Sequence, residues 1–292
     1  MMTSITASMV KELRERTGLG MMDCKKALSE ASGDMEKAIE DLRKASGIKA
    51  AKKASRVATE GVVMVKISGD GNRGVIVEVN SETDFVARDE NFLRFAGEAL
   101  EAAYNENETS IEELLSKGLE ESRQALVQKI GENISVRRIE RLSFENANQG
   151  IVESYVHSNS KIGVLISLKG GDEALARDIA MHVAAVNPLV VRPEDVPEDV
   201  LAKESEIYAA QARESGKPDE IVEKMISGRL RKFVSEVSLL EQQFVKEPES
   251  TIRDLLAEVG ADIVQFVRYE VGEGIEKEEE DFAAEVAAQL NS

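Results

Sequence analysis

Gly74-Val75-Ile76-Val77 occurs a second time in this chain as Gly163-Val164-Leu165-Ile166, 89 residues further on. At the same offset, Gly61-Val62-Val63 is matched by Gly150-Ile151-Val152. Two matched blocks with equal spacing indicate an internal repeat. In each copy the two apolar, β-branched runs flank a turn-forming segment, which predicts a strand, a turn and a second strand.

Each copy continues with a helical pattern and closes with a further apolar run, at 134–142 in the first copy and at 263–271 in the second. Strands joined by short turns favour an antiparallel sheet, and helices must cover one face of it. The sequence therefore predicts the α+β class, with two repeated subdomains that each hold a three-stranded antiparallel sheet. We expect subdomain 1 at 57–148, and subdomain 2 at 149–187 together with 234–273.

An N-terminal helical unit is predicted at 1–56. Thr6 and Asp34 are suitable N-cap residues, and glycines at Gly18 and Gly33 end the first and second helices. The resulting three-helix bundle is similar to ubiquitin-associated domains, which bind partners through the loop between their first two helices. Met21-Met22 lies in that loop, where methionine suits either a core or a contact surface.

The second copy of the repeat contains an insertion at 188–233. Helical patterns at 198–214 and 220–233, separated by a short turn, predict an antiparallel hairpin. Such a hairpin is a common place for self-association, although folding back onto the body is equally compatible with the sequence. An acidic C-terminal helical module is predicted at 274–292.

Charge is distributed unevenly along the chain. The formal net charge is −18, which argues against a general nucleic-acid surface because phosphate repels such a protein. Residues 1–56 nevertheless carry 12 Lys and Arg against 8 Asp and Glu. A basic helix at 48–56 is expected to be a solvated linker, and the basic head could dock on an acidic partner.

Cysteine content and the pattern of apolar runs indicate the cellular compartment. Cys24 is the only cysteine, so an intrachain disulfide is excluded, and we expect a buried apolar role for it. No apolar run reaches the roughly 18 residues of a membrane span, and Met1 to Met9 lack a signal-peptide pattern. The sequence predicts a cytoplasmic protein without membrane contact.

A dinucleotide-binding pattern, G-x-G-x-x-G, occurs at 69–74. The pattern requires a following helix, whereas Val75-Ile76-Val77 predicts a strand, so we interpret it as a hairpin turn. A nicotinamide-dependent enzyme is the alternative. His157 and His182 lack metal-ligand spacing and a partner nucleophile. We expect His182 to be buried in a helix and His157 to lie near a turn, and we expect no cofactor or metal.

Thr83-Asp84-Phe85-Val86 places a carboxylate beside an aromatic ring where a strand gives way to a helical pattern. Ser81 or Thr83 is the expected cap of that helix. Such a pair of side chains favours insertion into another protein. The alternatives are that Asp84 complements the helix N-terminus and that Phe85 is a core residue, like Phe92 one heptad further on.

The chain resembles the translation elongation factor Ts family in its full-length bacterial form. The resemblance is carried by ordered motifs along nearly the whole sequence, at 15–28 (ERTGLGMMDCKKAL), 83–88 (TDFVAR), 163–165 (GVL), 181–184 (MHVA) and 270–275 (EVGEGI). It implies a guanine-nucleotide exchange factor of elongation factor Tu, binding its GDP-bound and nucleotide-free forms, with no nucleotide of its own. An adaptor of ubiquitin-associated type without exchange activity is the alternative.

The resemblance also implies residue roles. Thr83, Asp84, Phe85 and Val86 correspond to the motif that intrudes near the partner's magnesium. Arg14, Met21 and Met22 correspond to partner-binding positions of the head, and His157 to a position that grips another domain of the partner. In the family, the inserted hairpin is a dimerisation module.

Overall fold

The computed structural model describes residues 5–106, 108–145, 149–213 and 218–276. The N-terminal head consists of three helices, α1 (Ala7–Thr17), α2 (Met21–Glu30) and α3 (Met35–Lys53). Thr6 accepts a hydrogen bond from Met9 N, and Asp34 accepts one from Lys37 N, so both predicted caps are confirmed. Leu13, Cys24 and Leu28 are fully buried in the head's own core, as expected for Cys24.

The first sheet holds three antiparallel strands in sequence order, β1 (Glu60–Ile67), β2 (Arg73–Ser81) and β3 (Ile134–Ser143). The helices α4 (Glu90–Glu106), α5 (Ile111–Leu114) and α6 (Glu120–Ile130) lie between β2 and β3 in the chain. Apolar side chains of the sheet pack against α4 and α6, with Val77, Phe92 and Val127 fully buried. The amphipathic pattern of α4 explains why this helix covers the sheet.

The helix α3 is longer than predicted and packs along α6. Residues 48–53 continue α3 instead of forming a separate basic helix. Ala50 is buried in the core of the first sheet, and Lys53 Nζ donates to the carbonyl of Gly131. The prediction of a solvated linker is therefore wrong, because one face of this basic segment is apolar and docks on the body.

The second sheet repeats the arrangement with strands β4 (Ile151–Val156), β5 (Ile162–Lys169) and the last strand, Asp262–Glu270, in that order. The prediction of two three-stranded antiparallel sheets is confirmed. Between β5 and the last strand lie α7 (Glu173–Val186), α8 (Glu198–Arg213), α9 (Asp219–Val237), β6 (Gln243–Phe244), β7 (Glu247–Thr251) and α10 (Ile252–Val259). We call the last strand β8.

Some elements of the second subdomain differ from the prediction. The helix α9 continues to Val237 instead of ending near Phe233, and it contacts α8 as a hairpin should. The short pair of β6 and β7 and the helix α10 were not predicted. Thr251 and Asp254 form a capping box that begins α10.

The two sheets pack face to face. Their contact contains Val63, Ile76 and Leu142 from the first sheet and Val152 and Leu165 from the second. This inter-sheet core joins the two copies of the repeat into one body.

A buried carboxylate ties the chain after β8 to the first sheet. Glu78 is fully buried in β2 and accepts hydrogen bonds from Asn80, Arg137, Arg138 and the amide of Gly272. Burial raises the pKa of Glu78, but the hydrogen bonds from Gly272, Asn80 and Arg138 outweigh it and hold the pKa below its ordinary value. Most of the C-terminal helical module predicted at 274–292 lies outside the described residues, which end at residue 276.

Candidate partner-binding site

The loop after β2 is anchored at both ends. Ser81 Oγ donates to the carbonyl of Thr83 at 3.0 Å, and Ala87 N donates to the same carbonyl at 3.2 Å. Val86 begins a short 3-10 turn and is buried in the core of the first sheet. Phe85 lies between these anchors and points outward.

Phe85 is 82% exposed, whereas Phe92 is fully buried. The interpretation of Phe85 as a core residue is therefore wrong. An aromatic ring on a well-anchored loop contributes little to the fold when it is exposed, but it is the type of side chain that dominates binding when a partner buries it.

Asp89, and not Ser81 or Thr83, caps α4. Its Oδ1 accepts hydrogen bonds from Asn91 N at 2.8 Å and Phe92 N at 3.3 Å. The hydrogen bond from the Asn91 side chain is the largest of the effects that lower the pKa of Asp89. The expected cap is wrong because the 3-10 turn separates β2 from α4.

Asp84 is half-buried and pairs with Arg88, with Oδ2 at 3.1 Å from the guanidinium Nη2. This contact joins two side chains four residues apart, so it does not serve the N-terminus of α4. The carboxylate remains close to the exposed ring of Phe85, where it can meet a partner.

Glu132 holds this loop from the other side. Its carboxylate accepts hydrogen bonds from the amides of Glu82 and Thr83, at 3.1 and 3.0 Å, and from the hydroxyl of Thr83 at 2.7 Å. Glu132 is not among the residues predicted from the sequence. It follows α6, 49 residues from Thr83, and no local pattern connects the two.

The head presents its candidate residues on the surface. Arg14 is exposed, and Met21 and Met22 are 60% and 74% exposed in the first turn of α2. The loop before α2 faces α4 across a shallow cleft lined by Thr17 and Asn91, among others. The head's exposed methionines thus follow a loop that lies against the helix after Phe85.

His157 is exposed in the turn between β4 and β5, as expected, and its Nδ1 is 3.2 Å from the hydroxyl of Tyr155. In the same turn, Lys161 Nζ is 2.6 Å from the carboxylate of Glu60. Glu60 pairs with Ser81 across β1 and β2. The turn that carries His157 therefore meets the first sheet at the end from which the Phe85 loop leaves.

The glycine-rich pattern at 69–74 forms the turn between β1 and β2. Gly71 has a φ of +66°, and Arg73 N bonds to Ser68 Oγ across the turn. A strand follows the glycines, so the helix N-terminus that a dinucleotide phosphate requires is not formed there. This geometry excludes the nicotinamide alternative at this motif.

His182 is fully buried in α7, as predicted. Its Nδ1 accepts from Val245 N at 3.3 Å, so Nε2 carries the proton toward Gln242 Oε1 at 3.0 Å. Burial lowers the pKa of His182, and the hydrogen bond with Gln242 offsets part of this effect.

In the part of the chain that the structure describes, no group of three or more His, Cys, Asp and Glu side chains is arranged to hold a metal ion. None of the helices within the described ranges is both long and apolar enough to cross a membrane.

Together, the repeated sheets, the head and the loop define a modular α+β protein that presents exposed apolar side chains, as protein-binding modules do. A family model described as elongation factor TS matches residues 82–273. A protein named elongation factor Ts from Hahella chejuensis is 64% identical over 289 residues, covering 99% of each chain. The protein of that name from Teredinibacter turnerae is 58% identical over 288 residues, covering 98% of this chain and 97% of its own. That from Marinobacter nauticus is 60% identical over 287 residues, covering 98% of each. The chain belongs to the elongation factor Ts family, as its motifs indicate.

Proposed function

We propose that this protein is the guanine-nucleotide exchange factor of elongation factor Tu. The observation that carries the proposal is the 82% exposure of Phe85 on an anchored loop, in a chain of the elongation factor Ts family. The protein acts in this proposal as a regulator that binds another protein, with no chemical step of its own. Translation elongation takes place in the cytoplasm, and we assign the protein to that compartment.

The ring of Phe85 acts as a wedge. Bound GDP depends on phosphate contacts and on a magnesium ion that requires near-octahedral geometry, so a side chain that displaces a ligand-bearing segment weakens both. Thr83 and Val86 anchor the loop, and Asp84 adds a negative charge that repels phosphate or competes for the metal.

The head and the second sheet hold the partner while the wedge enters. Arg14, Met21 and Met22 contact the nucleotide-binding domain, and His157 contacts another domain. GDP and this protein are two ligands of elongation factor Tu, and the coupling between them is reciprocal. If this protein lowers the affinity for GDP by some factor, GDP lowers the affinity for this protein by the same factor. The protein therefore binds both the GDP-bound and the nucleotide-free partner, and abundant GTP completes the cycle.

Stopped-flow release of labelled GDP from elongation factor Tu tests the proposal. We expect release to accelerate with rising concentration of this protein and to saturate. Binding to elongation factor Tu without acceleration of release would support the adaptor alternative instead. Self-association through α8 and α9 is a separate proposal, which sedimentation of the protein alone tests.

A further inference from the structure

Two loops of the first subdomain exchange hydrogen bonds reciprocally. Glu132 binds the amides of Glu82 and Thr83 and the Thr83 hydroxyl, and in return the Glu82 carboxylate accepts from the amide of Asn133. Charged acceptors form the stronger hydrogen bonds of proteins. Three donors on one carboxylate fix both its orientation and that of the loop two residues before Phe85.

The same loop is bound to the end of the head's last helix. Asn133 is 7% exposed, and its side-chain amide donates to the carbonyl of Arg56 at 2.8 Å and to that of Ala54 at 3.4 Å. The guanidinium of Arg56 is also 3.4 Å from the carboxylate of Glu82. The chain that leaves the head thus contacts both the loop after α6 and the loop that carries Phe85.

We propose that Glu132 and Asn133 are positioning residues, which fix Phe85 relative to the head. This inference rests on the proposed exchange function. When the head holds the partner, the distance from the head to the Phe85 ring decides where the ring meets the partner. Insertion is efficient only if this distance is already set in the free protein. Neither residue needs to touch the partner. Through Glu82, these hydrogen bonds hold the ring of Phe85 at a fixed position relative to the C-terminal end of α3.

The substitution Glu132→Gln tests the proposal with little change of shape. An amide can keep its oxygen on the backbone amides of Glu82 and Thr83, which share Oε2, and turn its NH₂ group toward the Thr83 hydroxyl. The hydrogen bonds then lose their charged acceptor, so the loop loses part of its support. We expect the maximal rate of GDP release to fall about tenfold, equivalent to about 1.4 kcal/mol. The half-saturating concentration should stay within about twofold, because the head still docks. Asn133→Ala should act in the same direction.

Glu106→Gln is the matched control. Like Glu132→Gln, it removes one negative charge, but it does so at the exposed far end of α4, where Glu106 pairs with Lys117 at 2.9 Å. We expect its release rate to equal that of the unmodified protein.

A double-mutant cycle with Phe85→Ala separates positioning from a general structural role. If Glu132 acts through the ring, Phe85→Ala combined with Glu132→Gln should be no slower than Phe85→Ala alone. The inference would be overturned if the double variant lost the product of the two single losses in release rate. It would also be overturned if Glu132→Gln released GDP at the normal maximal rate. A Phe85→Ala variant with full exchange activity would overturn the wedge and this inference with it. A slow Phe85→Ala beside a fast Glu132→Gln would overturn this inference alone and leave the proposed function standing.

Discussion

The amide of Val63 in the first sheet donates a 2.7 Å hydrogen bond to the carbonyl of Ser160 in the turn of the second hairpin. The corresponding bond in the other direction runs from Val152 N to the carbonyl of Gly71, at 2.6 Å. Each pair is related to the other by the same offset as the sequence repeat. Ser160 and Gly71 also share a positive φ, of 56° and 66°. The repeat is therefore a pseudo-twofold arrangement, in which each hairpin turn binds the first strand of the other copy.

Close approach of the sheets requires small residues at the repeated glycines. A Cβ on Gly163 would lie 2.4 Å from Val63 Cγ1, and one on Gly74 would lie 2.6 Å from Leu165 Cδ1. We expect Gly163→Ala to lower the free energy of unfolding by about 1 to 3 kcal/mol, because overpacking must push the sheets apart. Urea unfolding measures this. Gly97→Ala is the control, since open space surrounds that helical position and alanine should stabilise it by about 1 kcal/mol.

The sequence predicted the sheets correctly because the information is local. Alternating and β-branched runs define β2 and β5, and their equal spacing shows that the same unit occurs twice. The helix caps at Thr6 and Asp34 were predictable for the same reason, since each side chain bonds to an amide three residues further on.

Contacts between distant segments were not predictable. The basic residues at 48–56 suggested a separate linker helix, yet α3 continues through Gly47, which permits its close approach to Gln124 of α6. A Cβ on Gly47 would lie 3.1 Å from Gln124 Oε1. Glu132 likewise has no local signature. The exposed side chain of Phe85 could be proposed from its motif, but the support beneath it depends on tertiary structure.

Phe85→Ala should leave the stability of the protein nearly unchanged and slow the maximal rate of GDP release about thirtyfold. The ring is exposed in the free protein, whereas an aromatic anchor at an interface contributes roughly 2 kcal/mol or more. Stopped-flow release and thermal unfolding on the same sample measure both quantities. Phe92→Ala is the opposite case, because loss of this buried ring should lower the free energy of unfolding by about 3 to 5 kcal/mol. Equal release rates for Phe85→Ala and the unmodified protein would remove the wedge from the mechanism.

Asp84→Asn should slow exchange less than Phe85→Ala, and the deficit should shrink when free magnesium is low. An amide keeps the shape of the side chain and removes only the charge, so the action directed at the metal is lost. GDP release measured across a magnesium titration tests this. Arg88→Gln is the matched control, since it breaks the same ion pair but leaves the charge of Asp84 in place. A deficit that ignores magnesium would assign Asp84 to docking.

His182 should make stability depend on pH below neutrality. Burial lowers the pKa of His182 in the folded protein, whereas its pKa in the unfolded chain is about 6.5. As the pH falls below this value, the unfolded chain binds a proton before the folded chain does, which favours unfolding. This contribution to stability is complete above about pH 6.5 and declines as the pH falls, by up to about 1.4 kcal/mol for each unit. Urea unfolding between pH 5 and 8 should show a flatter profile for His182→Asn. His157→Asn is the matched control, because it replaces a histidine that is exposed.

Removal of the head should damage the body only if the cut includes the second half of α3. The head's own core ends at Leu42, whereas Ala50 is buried in the core of the first sheet. A chain of residues 45–292 should therefore unfold at nearly the temperature of the body in the full protein. A chain of residues 57–292 should be less stable by about 2 kcal/mol or more, because it loses Ala50 and leaves the buried amide of Asn133 without its acceptors.

Both truncated chains should exchange GDP poorly, because Arg14, Met21 and Met22 are absent from each and the partner is no longer held while Phe85 enters. Calorimetry and GDP release therefore separate two roles of one segment. The N-terminal half of α3 packs in the head's own core, and its C-terminal half packs on the body. If 57–292 were as stable as 45–292, the packing of α3 on α6 would contribute nothing to the fold. If 45–292 retained full exchange activity, the head's exposed methionines would have no part in binding.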